Sequence, residues 1–173
     1  MTRSGPSSDS WPGADRDGFA KKAEAVILVG IQASGKTTFY QQQLSATHCH
    51  ISLDVSKTRA RELARLQWCL ENNLDFVVDN TNATADERRR FIVPAKAAGY
   101  RLVGYYFEPD VAGCLKRNAA RPVHQRIPIP GLFGTKKRLE PPAFNEGFDA
   151  LFEVRIDDNG RFDVHPLIAH APS

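Results

Sequence analysis

The sequence predicts an α/β fold, a mostly parallel sheet of about five strands with helices on both faces. Three observations carry this. Apolar runs of strand length alternate with stretches of helical period. The first run, Val26–Val29, opens directly onto Gly30-Ile31-Gln32-Ala33-Ser34-Gly35-Lys36-Thr37. This fits G-x-x-x-x-G-K-[ST], a phosphate-binding loop between a strand and a helix. Two later runs end in carboxylates, Asp54 and Asp79. Right-handed crossovers bring the C-terminal ends of parallel strands to one edge, where ligands bind. The loop, Asp54 and Asp79 are therefore expected at one cleft, in a P-loop NTPase fold.

The elements follow in order. Residues 1–24 are rich in Ser, Gly, Pro and Asp and read as a disordered tail; the domain is expected over 25–165, with a C-terminal tail at 166–173. The helix after the loop runs to about Ser45. His48–Asp54 reads as the second strand, its carboxylate at the end. His48, Cys49 and His50 have no matching ligand pair elsewhere and argue weakly for a metal. Ser56–Asn73 reads as an amphipathic helix with Ala60, Leu63, Leu66 and Leu70 on its stripe; Arg59, Arg61 and Arg65 read as a solvated face. Asp75–Asp79 is the third strand. Thr84 and Glu87 match a capping box, opening a helix whose Arg88, Arg89 and Arg90 point in different directions. Pro94 should kink or split that helix, and Gly99 should end it. Arg101–Phe107 is the fourth strand. Asp110 opens a helix to about Arg121, stopped by Pro122. Val123–Pro142 reads as a loop rich in Pro and Gly. Leu151–Asp157 is the fifth strand, with Arg161–Val164 extending it after a turn.

The loop has a chemical reading. Gly30 and Gly35 let the backbone bend and approach a ligand closely. Successive N–H groups, running through Ala33, Ser34 and Gly35 to Thr38, face inward at a helix N-terminus and suit an anion. Lys36 supplies a point charge for the β- and γ-phosphates, and the Thr37 hydroxyl a ligand for magnesium. A nucleoside triphosphate with Mg²⁺ is the expected ligand of this loop.

The other polar residues each have two readings. Asp54 is placed to be a general base for an attacking hydroxyl, or to cap the helix at Ser56. Asp79 sits where a Walker B carboxylate holds magnesium, or is a turn carboxylate for Asn80-Thr81-Asn82. Arg117 and Arg121 share one helix face and could neutralise a transferring phosphate, or be solvated surface arginines.

Composition sets bounds. The chain has 173 residues, 42% hydrophobic and 25% charged, which suits one domain; the net charge of +3 permits nucleic-acid binding without arguing for it. Cys49, Cys69 and Cys114 lack metal or redox spacing and suit a reducing compartment. No signal peptide or membrane-spanning run is read, so a cytoplasmic location is the expectation.

Taken together, the residues resemble the P-loop kinase domain of the polynucleotide 5′-hydroxyl kinases, in the bacteriophage enzyme and in eukaryotic polynucleotide kinase-phosphatase. The resemblance spans about Val26 to Ile156. It rests on the loop Gly30–Thr37, Ser52-Leu53-Asp54, Asp79-Asn80-Thr81-Asn82, Leu115-Lys116-Arg117-Asn118-Ala119-Ala120-Arg121, Glu140-Pro141-Pro142 and Glu146-Gly147-Phe148. It implies that Lys36 and Thr37 bind phosphates and metal and that Asp54 is the general base. It also implies that Arg121 contacts the transferring phosphate, with Arg117 beside it on the nucleotide, while Thr81 and Asn82 order the cleft. No segment resembles a phosphatase or phosphopeptide-binding domain, so a stand-alone kinase unit is expected. Three positions depart from the pattern. Ala33 replaces a usual glycine. Leu53 replaces a polar or basic residue. Lys57 replaces an arginine that meets the acceptor's phosphate, losing its bidentate grip.

Three functions follow from these readings. The first is an ATP-dependent kinase of a 5′-hydroxyl nucleic-acid end. The second is a kinase of a small-molecule hydroxyl (nucleoside, sugar or nucleotide-sugar) of the zeta-toxin type, favoured by Leu53 and Lys57. The third is a non-catalytic nucleotide-binding module.

Overall fold

The computed structural model describes residues 22–168; the tail positions 1–21 and 169–173 lie outside the described residues. Strand β1 (Glu24–Val29) occupies the centre of a six-stranded sheet ordered β2-β3-β1-β4-β5-β6. Its neighbours are β3 (Phe76–Asp79) and β4 (Arg101–Phe107), both parallel to it; β2 (Cys49–Ile51) lies beyond β3 and β5 (Ala150–Ile156) beyond β4. The sixth strand, β6 (Phe162–Leu167), runs antiparallel to β5. The run foreseen as an extension of the fifth strand is thus a separate edge strand, turned back at Asp157–Gly160.

Residues Ala25 to Val29 are all fully buried, which is why β1 is apolar without alternation. Ala25, Ile27 and Val29 feed one core cluster, Val26 and Leu28 the opposite one. The first is closed by Leu66 and Cys69 of α3 (Arg59–Glu71) and by Phe91, Ile92 and Ala95 of α4 (Ala85–Ala97). The second is closed by Phe39 of α1 (Lys36–Phe39) and Leu44 of the π-helical stretch that continues it, Tyr40–Leu44. A third, smaller cluster joins Ile31 and Ala33 of the loop to Cys114 of α5 (Val111–Ala119) and Leu132 of α6 (Ile129–Arg138). Among the described residues no helix is long and apolar enough to cross a membrane.

Several expectations are corrected. Asp54 does not end a strand: β2 stops at Ile51, and Asp54 lies in the first turn of α2 (Leu53–Ser56). Nor is it a cap. Ser52 caps α2, its hydroxyl accepting the Asp54 N–H at 3.2 Å, and Thr58 caps α3. The helix expected over Ser56–Asn73 therefore starts late, at Arg59, behind the separate short α2, and Lys57 between the two caps takes a left-handed φ of 65°. The α3 stripe is also shifted: Ala60 and Leu63 are exposed, while Glu62, Leu66 and Cys69 are buried.

Pro94 lies inside α4 without dividing it. A helix-interior proline costs about 3 kcal/mol. Phe91 and Ile92 before it and Ala95 after it pack on the same core, and each large apolar side chain buried returns about 1.5–3 kcal/mol. The capping box is also modified: Thr84 accepts from the Glu87 N–H, but Glu87 reaches the N–H of Ala83, one residue further back. The stretch from Val123 to Pro142 is not all loop, since α6 occupies half of it. Its buried Leu132 and Thr135 face the phosphate loop.

Candidate functional site

The loop leaves β1 and bends back over its end. Gly35 carries φ 94°, and a Cβ there would lie 2.7 Å from the Ile156 side chain, so the bend requires glycine. Ala33 takes φ 59° without being glycine. Lys36 is buried, and its ammonium folds into its own loop. Nζ donates to Gly30 O at 2.9 Å, Ile31 O at 2.7 Å and Ser34 Oγ at 3.3 Å. Burial pulls its pKa down to about 8, and the nearby Asp79 charge partly opposes this.

The segment Asp79–Asn82 binds the neighbouring elements one residue at a time. Leu28 is opposite Asp79 in the sheet, which puts that carboxylate beside the loop. Asp79 Oδ2 accepts from the Thr37 hydroxyl at 2.8 Å and lies 3.0 Å from His50 Nε2, whose ring stacks on Tyr40. Asn80 accepts the Leu53 N–H at 2.9 Å. Thr81 O accepts the Gly30 N–H at 3.0 Å, pinning the first residue of the loop. Asn82, at φ 46°, donates to Leu28 O at 2.7 Å. Below it, the fully buried Arg88 holds Asn82 O at 2.9 Å and grips Glu146 with two bonds of 2.7 Å. The Thr37 hydroxyl and Asp79 carboxylate are hard oxygen donors beside a phosphate cradle, a set that fits Mg²⁺.

These elements enclose a cleft of about 310 Å³. Of the residues foreseen from sequence, Ala33, Ser34, Gly35, Lys36, Thr37, Thr38, Asp54, Asp79 and Arg121 line it. Asp54 is exposed there, and neither its carboxylate nor the Arg121 guanidinium makes a hydrogen bond among the described residues. Gly30 lies beneath the loop. Arg117 does not share the cleft with Arg121. Its Nε donates to Ala33 O at 2.7 Å, and it lines a second cavity of about 160 Å³ with Ser34, Asp110 and Arg155.

Arg59 and Asn80 complete the cleft wall and were not foreseen as site residues, whereas Lys57 is absent from the lining. The sequence pattern reads Arg59 as part of a solvated face, and in the fold its half-exposed side chain borders the cleft. Gln32 was also missed. From the loop it donates to Thr135 of α6 at 2.9 Å, joining loop and helix. At the far wall, Asn118 exchanges two hydrogen bonds with the Ile127 backbone, which brings Ile127 to the cleft.

Comparison with known proteins agrees with this architecture. Over 135 residues the chain is 26% identical to a bifunctional polynucleotide phosphatase/kinase of Schizosaccharomyces pombe, covering 76% of this chain and 33% of that protein. It thus spans about a third of that relative's length. Among solved structures, Kti12 of Chaetomium thermophilum in complex with ADP-AlF3 superposes with a TM-score of 0.58 at 16% identity, covering 79% of this chain and 92% of that one. A gluconokinase from Sinorhizobium meliloti 1021 superposes with a TM-score of 0.52 at 16% identity, covering 79% and 84%. These structural likenesses establish the P-loop NTPase fold. The family model described as an AAA domain matches residues 55–141, half of the chain and the part that carries Asp79–Asn82 and the segment from Arg117 in α5 to Arg121 just beyond it. The chain belongs to that AAA domain family.

Proposed function

We propose that this chain is an ATP-dependent phosphotransferase that transfers the γ-phosphate of ATP to the 5′-hydroxyl end of a polynucleotide. The observation that carries the reading is the meeting of Lys36, Thr37, Asp54, Asp79 and Arg121 around one cleft. The loop amides and Lys36 hold the β- and γ-phosphates. Thr37 and Asp79 hold Mg²⁺, which when bound offsets phosphate charge. Asp54, exposed and without a competing hydrogen bond, accepts the proton of the acceptor hydroxyl as its oxygen attacks the γ-phosphorus in line. Arg121 neutralises the equatorial oxygens as the leaving group departs. The acceptor assignment draws on the likeness to the phosphatase/kinase of S. pombe.

A second reading keeps this chemistry and makes the acceptor a small-molecule hydroxyl. The apolar Leu53 beside Asp54 in the cleft wall favours it. Transfer of labelled γ-phosphate, with magnesium, onto a 5′-hydroxyl oligonucleotide and onto a nucleoside and sugar panel separates the two. The first reading expects labelled oligonucleotide, lost in Lys36→Ala and Asp54→Asn. Label only in the panel replaces the acceptor, and no label anywhere with ATP bound removes the phosphotransferase reading.

A further inference from the structure

Glu62 is a carboxylate where α3 ought to present a hydrocarbon. It precedes the buried Leu66 and Cys69 on the same helix face, and its side chain is 1% exposed. Burying a carboxylate is costly, and apolar replacements of buried ion pairs are often neutral or stabilising. Core packing therefore does not account for it.

Its two oxygens are divided between two cleft residues. Oε2 accepts from Arg59 Nη1 at 2.7 Å, and Oε1 from Asn80 Nδ2 at 2.6 Å. Asn80 in turn accepts the Leu53 N–H, at the start of the turn that carries Asp54. Arg59, Asn80, Leu53 and Asp54 line the cleft, with Glu62 buried behind them. The Arg59 side chain is 51% exposed. A guanidinium offers five N–H donors, so the bond to Glu62 leaves most of them free for a ligand. Surface arginines ordinarily lose binding energy to side-chain mobility. Here one end is fixed to an immobile buried carboxylate.

We infer that Glu62 is a positioning residue for the acceptor. It holds Arg59 over the acceptor side of the cleft and, through Asn80, keeps the Asp54 turn in register with it. The site then selects an acceptor that carries a phosphate ester near the hydroxyl to be phosphorylated, and discriminates against neutral sugars and nucleosides. The inference rests on the phosphotransferase reading of the cleft. It also moves acceptor recognition from Lys57, which does not line the cleft, to Arg59.

The test is calorimetric titration of the full chain, with ADP and magnesium present, by a nucleoside 3′-monophosphate and by the matching nucleoside. The wild type is expected to prefer the phosphorylated compound by about tenfold or more, the strength of one charge-assisted contact. Arg59→Ala and Glu62→Gln should both lose that preference while ADP affinity stays within about twofold. In its preference for the phosphorylated compound the double variant should match Arg59→Ala alone, because Glu62 reaches the phosphate through Arg59. Arg59→Lys should restore part of the preference, and the retained ADP affinity shows that Glu62→Gln is folded. A preference kept in Glu62→Gln, effects that multiply in the double variant, or no binding of the phosphorylated compound would each overturn the inference. Labelled transfer distinguishes it from the broader reading. If only the nucleoside 3′-monophosphate is phosphorylated, the polynucleotide acceptor falls and the inference stands. If the oligonucleotide is phosphorylated equally well by Glu62→Gln, the polynucleotide reading stands and the inference falls.

Discussion

The Thr37 hydroxyl donates to Asp79 Oδ2 at 2.8 Å, which ties the end of the phosphate loop to the end of β3. Thr37 is exposed and does not need the bond for burial, whereas Asp79 is buried and is held at this place. Asp79→Asn keeps the shape and removes the charge. The magnesium concentration for half-maximal transfer is expected to rise by about tenfold or more. Nucleotide affinity without metal should change little. An unaltered magnesium dependence would contradict the metal assignment.

Lys36 gives a pH dependence with a definite sign. Burial holds its pKa at about 8 in the ligand-free protein, and bound phosphates raise it. Below about pH 8 the lysine is charged in both states and adds no pH dependence to binding. Above it, binding must take up a proton, so affinity falls as pH rises, by up to about tenfold per pH unit. Calorimetry in buffers of different ionisation enthalpy reads this proton uptake directly. Folding shows the related effect: the cost of burying the charge is fully present below about pH 8 and is relieved as pH rises towards the unfolded value of 10.5.

Asp54 and Ser52 separate catalysis from stability. Asp54 is exposed and is not the helix cap, so Asp54→Asn should leave unfolding within about 0.5 kcal/mol of wild type. Phosphate transfer should fall by about 10² to 10⁴ if it is the base. Ser52→Ala removes the cap bond to the Asp54 N–H and should cost about 1 kcal/mol. Urea unfolding and initial rates on both variants check the contrast.

Arg88 stabilises the floor beneath the site. Its fully buried guanidinium satisfies Glu146 and the carbonyls of Asn82, Ala83 and Glu140. Arg88→Met strands these acceptors, including the carboxylate, and should cost about 3–5 kcal/mol in denaturant unfolding. Glu146→Gln retains hydrogen-bonding capacity and should cost less.

The phosphate loop was legible in the sequence because its chemistry is local: glycines, a lysine and a threonine at fixed spacing after an apolar run need no distant partner. The parallel sheet was legible for a similar reason, since the run Ala25–Val29 is apolar throughout only when both faces are covered. The convergence of Asp79 with the loop followed from chain topology alone. What the sequence could not decide was each departure from local rule that long-range contacts impose. Pro94 stays within a helix because residues on both sides of it pack on one core. Arg88 lies buried because Glu146, fifty-eight positions away, neutralises it. Glu62 lies buried because Asn80, just beyond the end of β3, shares it with Arg59. Arg59 borders the cleft and Lys57 does not, and α3 starts only after a left-handed residue between two caps. Propensity and period report on neighbours in sequence. Buried charges and helix breaks are set by partners that only folding brings within hydrogen-bonding reach.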